Sequence, residues 1–134
     1  MKTMKFCILF WTLASMNSSA LAEWTEIEKY EDNTRVFVDK TTAHRSGDTG
    51  QLDHLVRWGE AQLDPGYPPY LSTVVRTSYD CLEKRERYLT STSYAGAMGN
   101  GAKVLSDPNE AETWYSISEG SMEEKLWKLA CGAP

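Results

Sequence analysis

The chain has 134 residues, 41% of them hydrophobic, with 14 Lys and Arg against 19 Asp and Glu and a formal net charge of -5 at pH 7. That length supports one domain around one modest core and excludes a second. An acidic surface lacks the basic footprint that phosphates require, so nucleic acid is excluded as a partner class.

Met1 to Ala22 has the three-part layout of a secretory signal: Lys2 and Lys5, an apolar run from Phe6 to about Ala14, and Ala20-Leu21-Ala22 as a cleavage site. The mature chain is therefore expected to be one domain over residues 23–134, carrying a charge of about -7. A membrane span needs roughly 20 apolar residues, and this run is broken by Thr12, Ser15, Asn17, Ser18 and Ser19, so no integral membrane segment is expected in the mature chain. Cys7 lies at the start of the apolar run rather than after it, too early for a lipidated N-terminus. Cys81 and Cys131 are then the only cysteines left, and two thiols in an oxidising compartment read as one disulfide.

Trp24 to Tyr30 alternates Trp24, Glu26 and Glu28 with Thr25, Ile27 and Lys29, meets the turn cluster Glu31-Asp32-Asn33-Thr34, and resumes as Arg35-Val36-Phe37-Val38-Asp39. This is a β-hairpin signal. Ser46-Gly47-Asp48 and Gly50, within Thr41 to Gly50, imply another hairpin connection. Gln51 to Leu63 reads as a strand with Leu52, His54, Val56 and Trp58 on one face and Asp53, Leu55 and Arg57 on the other, bent at Gly59. The Asp64-Pro65-Gly66-Tyr67-Pro68-Pro69 loop follows. Tyr70 to Asp80 is the clearest strand and leads straight into Cys81. A further strand is expected over Lys84 to Tyr94, with a short helix at Lys84–Arg87 as the alternative. Gly96, Gly99 and Gly101 then break the pattern, and short strands are expected at Ala102–Leu105 and Thr113–Ser118.

The last segment changes period. Ser121-Met122-Glu123-Glu124 is a capping box that starts a helix, in which Glu124 reaches back to the cap. At 100° per residue Met122, Leu126, Trp127, Leu129 and Ala130 fall on one apolar side, and Glu124, Lys125 and Lys128 on the other, with Gly132 at the C-terminal cap. The fold class is thus α+β: an antiparallel sheet of about six strands with a C-terminal helix packed on one face, tied by a disulfide from Cys81 to Cys131. Trp24, Trp114 and Trp127 are assigned to the core between sheet and helix.

Tyr79-Asp80-Cys81, Glu83-Lys84-Arg85-Glu86-Arg87, Tyr94, Met98-Gly99, Trp114-Tyr115-Ser116-Ile117, Gly120-Ser121 and Leu126-Trp127 before Cys131 resemble, in order and spacing, the surface-adhesin protein E-like domain of Gram-negative bacteria. So do Trp24 and Val36-Phe37-Val38-Asp39. The resemblance covers nearly the whole chain after the leader. It implies a sheet with the C-terminal helix held across it by the disulfide, in an exported protein of the periplasm or cell surface. It also implies binding of another protein, a host extracellular-matrix or serum protein where the domain is displayed.

The Lys84-Arg85-Glu86-Arg87-Tyr88 segment is the one local basic cluster, a candidate for docking an acidic partner segment or a sulfated glycan. Its plainer reading is a solvated strand face. Tyr67, Tyr70, Trp58 and Pro68-Pro69 form a candidate aromatic surface, set against ordinary loop packing. His44 and His54 are the only histidines, and neighbours on a strand point to opposite faces, so Asp53 does not orient the His54 ring. With the cysteines paired, no set of three or four N/S metal ligands remains, so no catalytic group, metal or cofactor is expected. Three function classes follow: a non-enzymatic protein-binding module, a periplasmic structural or stress-associated protein, and a small-molecule binder or hydrolase using His54. Exposed edge strands also make a homodimer an expectation.

Overall fold

The computed structural model describes residues 22–132, so the expected secretory signal, but for its last residue Ala22, lies outside the described residues. Six strands form an antiparallel meander in the order β1 to β6: β1 (Trp24–Lys29), β2 (Arg35–Ser46), β3 (Thr49–Gln62), β4 (Tyr70–Asp80), β5 (Arg85–Tyr94) and β6 (Lys103–Asp107). A two-residue strand, β7 (Tyr115–Ser116), pairs with the start of β5, and one helix, α1 (Met122–Cys131), follows. The α+β class, the strand count and the helix position are those expected from the sequence. Lys84–Arg87 is not helical: Lys84 ends a turn at φ 52° and β5 begins at Arg85.

The strands are longer where the chain satisfies its own irregularities. β2 runs on past Asp39, where a strand end was expected, because the break in pairing between Asp39 and His44 is bridged locally. The Asp39 carboxylate accepts from the Thr41 N–H at 3.0 Å and the Thr41 hydroxyl at 2.5 Å, and the Thr42 hydroxyl donates to the Asp39 carbonyl at 2.6 Å. This is a bulge with its polar groups paired. The expected Ser46-Gly47-Asp48 turn closes the β2–β3 hairpin, with Gly47 at φ 60°. At Gly59 the chain bends as expected: a Cβ there would collide with the Asp32 carbonyl of the first hairpin turn.

The helix lies on one face of the sheet. Leu126 and Ala130 are buried against Val38, Leu52, Tyr79 and Ile117, with Ile27, Ala43, Met122, Trp127 and Leu129 packed around them. Burying such side chains contributes about 1.5–3 kcal/mol each, the main favourable term in a domain of this size. Ser121 caps the helix, its Oγ accepting from the Glu124 N–H at 3.1 Å. Glu124 differs from expectation in two ways. Its carboxylate reaches back to the Gly120 N–H rather than to that of Ser121, and it is buried, because Lys84 pairs with it from the turn before β5. At the other end Gly132 caps in a right-handed conformation, φ -85°.

Cys81 and Cys131 are bonded, with Cα atoms 5.6 Å apart. The bond fastens the last turn of α1 to the end of β4. Around it the Trp127 indole donates to the Asp80 carbonyl at 2.9 Å and Arg45 donates to the Cys131 carbonyl at 2.7 Å. Gly50 of β3 allows the close approach there, since a Cβ would lie 2.9 Å from the Ala130 carbonyl carbon and oxygen.

Candidate binding surfaces

The face of the sheet away from the helix has a different cover. Residues 95–102 fold back over it as a glycine-rich loop, closed by Ala95 N–H to Ala102 carbonyl and Gly96 N–H to Asn100 carbonyl, each 2.9 Å. Ser72, fully buried on β4, holds the loop down: its Oγ donates to the Gly96 carbonyl at 2.6 Å and accepts from the Gly99 N–H at 2.8 Å. Gly99, at φ 67°, lies against Leu55 and Val74, which explains how Leu55 is fully buried on a face without a helix.

Between this loop and β1 the cover is incomplete, leaving a cleft of about 400 Å³. Trp24, Tyr94, Met98 and Val74 give it apolar walls, and Asp39 and Asp53 give it carboxylates. Asp39 and Asp53 are direct cross-strand partners, and Arg76 binds Asp53 through two hydrogen bonds of 2.8 and 3.1 Å. The cleft therefore combines an aromatic wall with one ion-paired and one locally hydrogen-bonded carboxylate, a lining suited to recognition.

Trp24 was expected in the helix core and is not there. It pairs across from Asp39 and lines the opposite face, whereas Ile27 packs against the helix core. Trp114 is likewise outside that core: its ring lies 5.6 Å from the Arg85 guanidinium and 4.9 Å from that of Arg87. Trp127 is where it was expected, packed against the core with Lys84 5.5 Å over its ring.

The basic cluster is divided by the fold. Lys84 pairs with Glu124 of the helix, and Arg85 pairs with Asp80 at 2.6 Å. The Glu83 N–H at 2.9 Å and then Arg85 hold the Asp80 carboxyl below its ordinary range. Arg87 stacks on Trp114 and makes no ion pair among the described residues, so it is the member with charge to spare. Tyr88 points to the other face of β5, exposed, its hydroxyl donating to Glu86 at 3.2 Å. Burial and the Glu86 charge push its phenol up to about 12.

Tyr67 and Tyr70 stand at the opposite end of the sheet. Tyr70 begins β4 and donates to Asp64 at 2.9 Å, while Tyr67 is exposed on the loop before it. Arg85 pairs with Asp80 at the other end of β4, ten residues and about 30 Å away along the strand, so the basic and aromatic candidates form no single site.

His54 is buried on the helix face, paired across from Val38 and Val75, and its Nδ1 has no partner. Burial pushes its pKa down to about 4, the Asp53 charge opposing this only weakly. Asp53 lies on the other face with Arg76, so the two are not a catalytic dyad. Among the described residues no group of three or more His, Cys, Asp or Glu is placed to hold a metal, and no helix is long and apolar enough to cross a membrane.

The family model of surface-adhesin protein E matches residues 24–132. No curated protein sequence matches the chain. Among solved structures, protein E of Haemophilus influenzae is similar in fold at a TM-score of 0.61: its crystal form II at 11% identity over 72% of this chain and 80% of that one. Protein E from the non-typeable organism aligns at 12% identity over 80% of this chain and 75% of the other, with the same TM-score of 0.61. The family match spans β1 to the C-terminal cap, and these structures share its meander-and-helix fold. The chain therefore belongs to the surface-adhesin protein E family.

Proposed function

We propose that the chain is an exported, non-enzymatic binding module that recognises another protein, a host extracellular-matrix or serum protein when displayed on the surface of a Gram-negative bacterium. The observation that carries this reading is the family match over residues 24–132. The fold supports it: both faces of the sheet are given over to structure, and what remains open is an aromatic cleft and a set of exposed tyrosines, the residue type favoured at protein interfaces. The lone buried His54 gives no support to hydrolysis, because it is separated from Asp53 by the plane of the sheet.

The test has two parts. Protease applied to intact producing cells should remove the domain, and the purified protein should bind immobilised matrix or serum proteins in a salt-dependent manner. A domain fully protected inside intact cells would refute display and leave a periplasmic role. Arg87→Ser is the clean probe of the basic cluster, because Lys84→Ser and Arg85→Ser also break ion pairs that hold the helix and the β4–β5 turn. Unchanged affinity in Arg87→Ser would remove that residue from the binding surface.

A further inference from the structure

On the helix face, at the edge of β5, Glu86 is framed by tyrosines. Antiparallel pairing places Tyr79 of β4 directly across from it on one side and Tyr115 of β7 on the other, and Tyr88 follows two residues along β5. Tyr88 and Tyr115 are exposed, with ring centroids 6.4 Å apart. Tyr79 is fully buried, and its hydroxyl has no hydrogen-bond partner. Its phenol pKa is raised by burial first and by the Glu86 charge next. Glu86 is 7% exposed and accepts one hydrogen bond, from Tyr88. Glu123, in the first turn of α1, faces it across a cleft of about 200 Å³ that Ser116, Ser118 and Ser121 complete.

No cation of the described residues serves this pair of carboxylates. Lys84 and Lys128 go to Glu124, Arg85 goes to Asp80, and Lys125 goes to Glu28. Burial and the neighbouring Glu123 charge accordingly hold the Glu86 carboxyl above its ordinary range. A nearly buried carboxylate without a counter-charge is unfavourable in the free protein, and a partner that supplies a cation relieves it.

We propose that this cleft receives a lysine or arginine side chain of a protein partner, with Glu86 and Glu123 as its counter-charges and the exposed Tyr88 and Tyr115 rings beside it. The proposal deepens the protein-binding reading and rests on it. Three features select this occupant. The volume is below the roughly 300–1,000 Å³ of small-molecule pockets and suits the end of one side chain. Tyrosine faces attract ammonium and guanidinium groups, and exposed tyrosines such as Tyr88 and Tyr115, both next to Glu86 in the sheet, are typical interface anchors. A calcium ion would seek about six to eight oxygen ligands, whereas this cleft offers two carboxylates, one already engaged by a phenol.

The test is an NMR titration of the purified protein with acetyl-Gly-Lys-Gly-amide, its norleucine counterpart, and calcium chloride. The lysine peptide should shift the resonances of Glu86, Tyr88, Tyr115 and Glu123, the norleucine peptide should not, and Glu86→Gln with Glu123→Gln should weaken binding about tenfold or more. Glutamine keeps the size of the side chain and an acceptor for Tyr88, and Glu123→Gln alone serves as the second variant should the double one fail to fold. Equal shifts from norleucine, unchanged affinity in the variants, or calcium displacing the peptide would each overturn the proposal. The outcomes separate from the previous reading: a displayed, matrix-binding protein without a lysine response loses only this site, and a protected protein with one loses only its role as an adhesin.

Discussion

The two faces of the sheet are closed by different means. On one, a helix brings a continuous apolar side and is fastened by a disulfide, with Leu126 and Ala130 sealed against Val38, Leu52 and Tyr79. On the other, a glycine-rich loop is held mainly by polar bonds to one serine, and its cover stops short of Trp24. Closure and open surface are thus separated in the molecule. The helix face supplies the free energy of the fold, and the surfaces left for a partner lie where cover ends: the cleft beside the loop and the edge where Glu86 meets the helix N-terminus.

Breaking the disulfide should produce the largest effect, and it should fall on the helix face alone. For a separation of 50 residues the chain-entropy model gives about 4 kcal/mol, a large share of the stability of one small domain. Cys81→Ser with Cys131→Ser should lower the free energy of unfolding by that amount and raise hydrogen exchange along α1 first. Equal loosening of residues 95–102 would show that the faces are not independent.

The second effect comes from His54, buried in the same face. An unfolded imidazole takes up its proton near pH 6.5, and the folded one holds off until about 4, so its contribution is fully present above pH 6.5 and is lost as pH falls toward 4. Over that window about 3 kcal/mol should disappear. Glu86 acts with the opposite sign: its raised pKa means that acidification through the folded value adds stability. Denaturation of the wild type and of His54→Leu at several pH values isolates the histidine term. A profile unchanged by His54→Leu would show that the ring is not buried as a neutral group.

How much of this was legible in the sequence depends on the element. Period-two alternation placed Leu52, His54 and Trp58 apart from Asp53 and Leu55, and the capping serine located the helix, because these signals are local. The disulfide was legible because only two cysteines follow the expected leader. The placement of Trp24 was not legible from its size, although its alternation with Ile27 already pointed to the opposite face. Leu55 shows the limit more clearly: alternation gave its face, but nothing local indicated that Gly99, more than forty residues later, would cover it. The Glu86 site was hidden for the same reason, since Tyr79, Tyr115 and Glu123 meet only through strand pairing and helix docking. The cluster Lys84-Arg85-Arg87 read as a single basic patch, but the positive φ at Lys84 sends it to Glu124 of the helix, and Arg85, although it shares the Trp114 ring with Arg87, is paired with Asp80.

The smallest effect is the most selective test of the two-face contrast. Ser72→Ala deletes one buried oxygen and leaves two partly buried backbone groups, the Gly96 carbonyl and the Gly99 N–H, without that partner. The expected cost is about 2 kcal/mol, set by the unpaired groups rather than by lost apolar area. It should appear as rapid exchange of the Gly99 amide and increased exposure of Leu55, while the amides of α1 stay protected. Because Met98 and Gly99 line the cleft, the same change should blunt any partner contact that uses Trp24 and Tyr94, yet leave the lysine response at Glu86 intact. A Gly99 amide that remains protected in Ser72→Ala would mean that packing on Val74 and Leu55 holds the loop, and the two faces would then be closed by the same force.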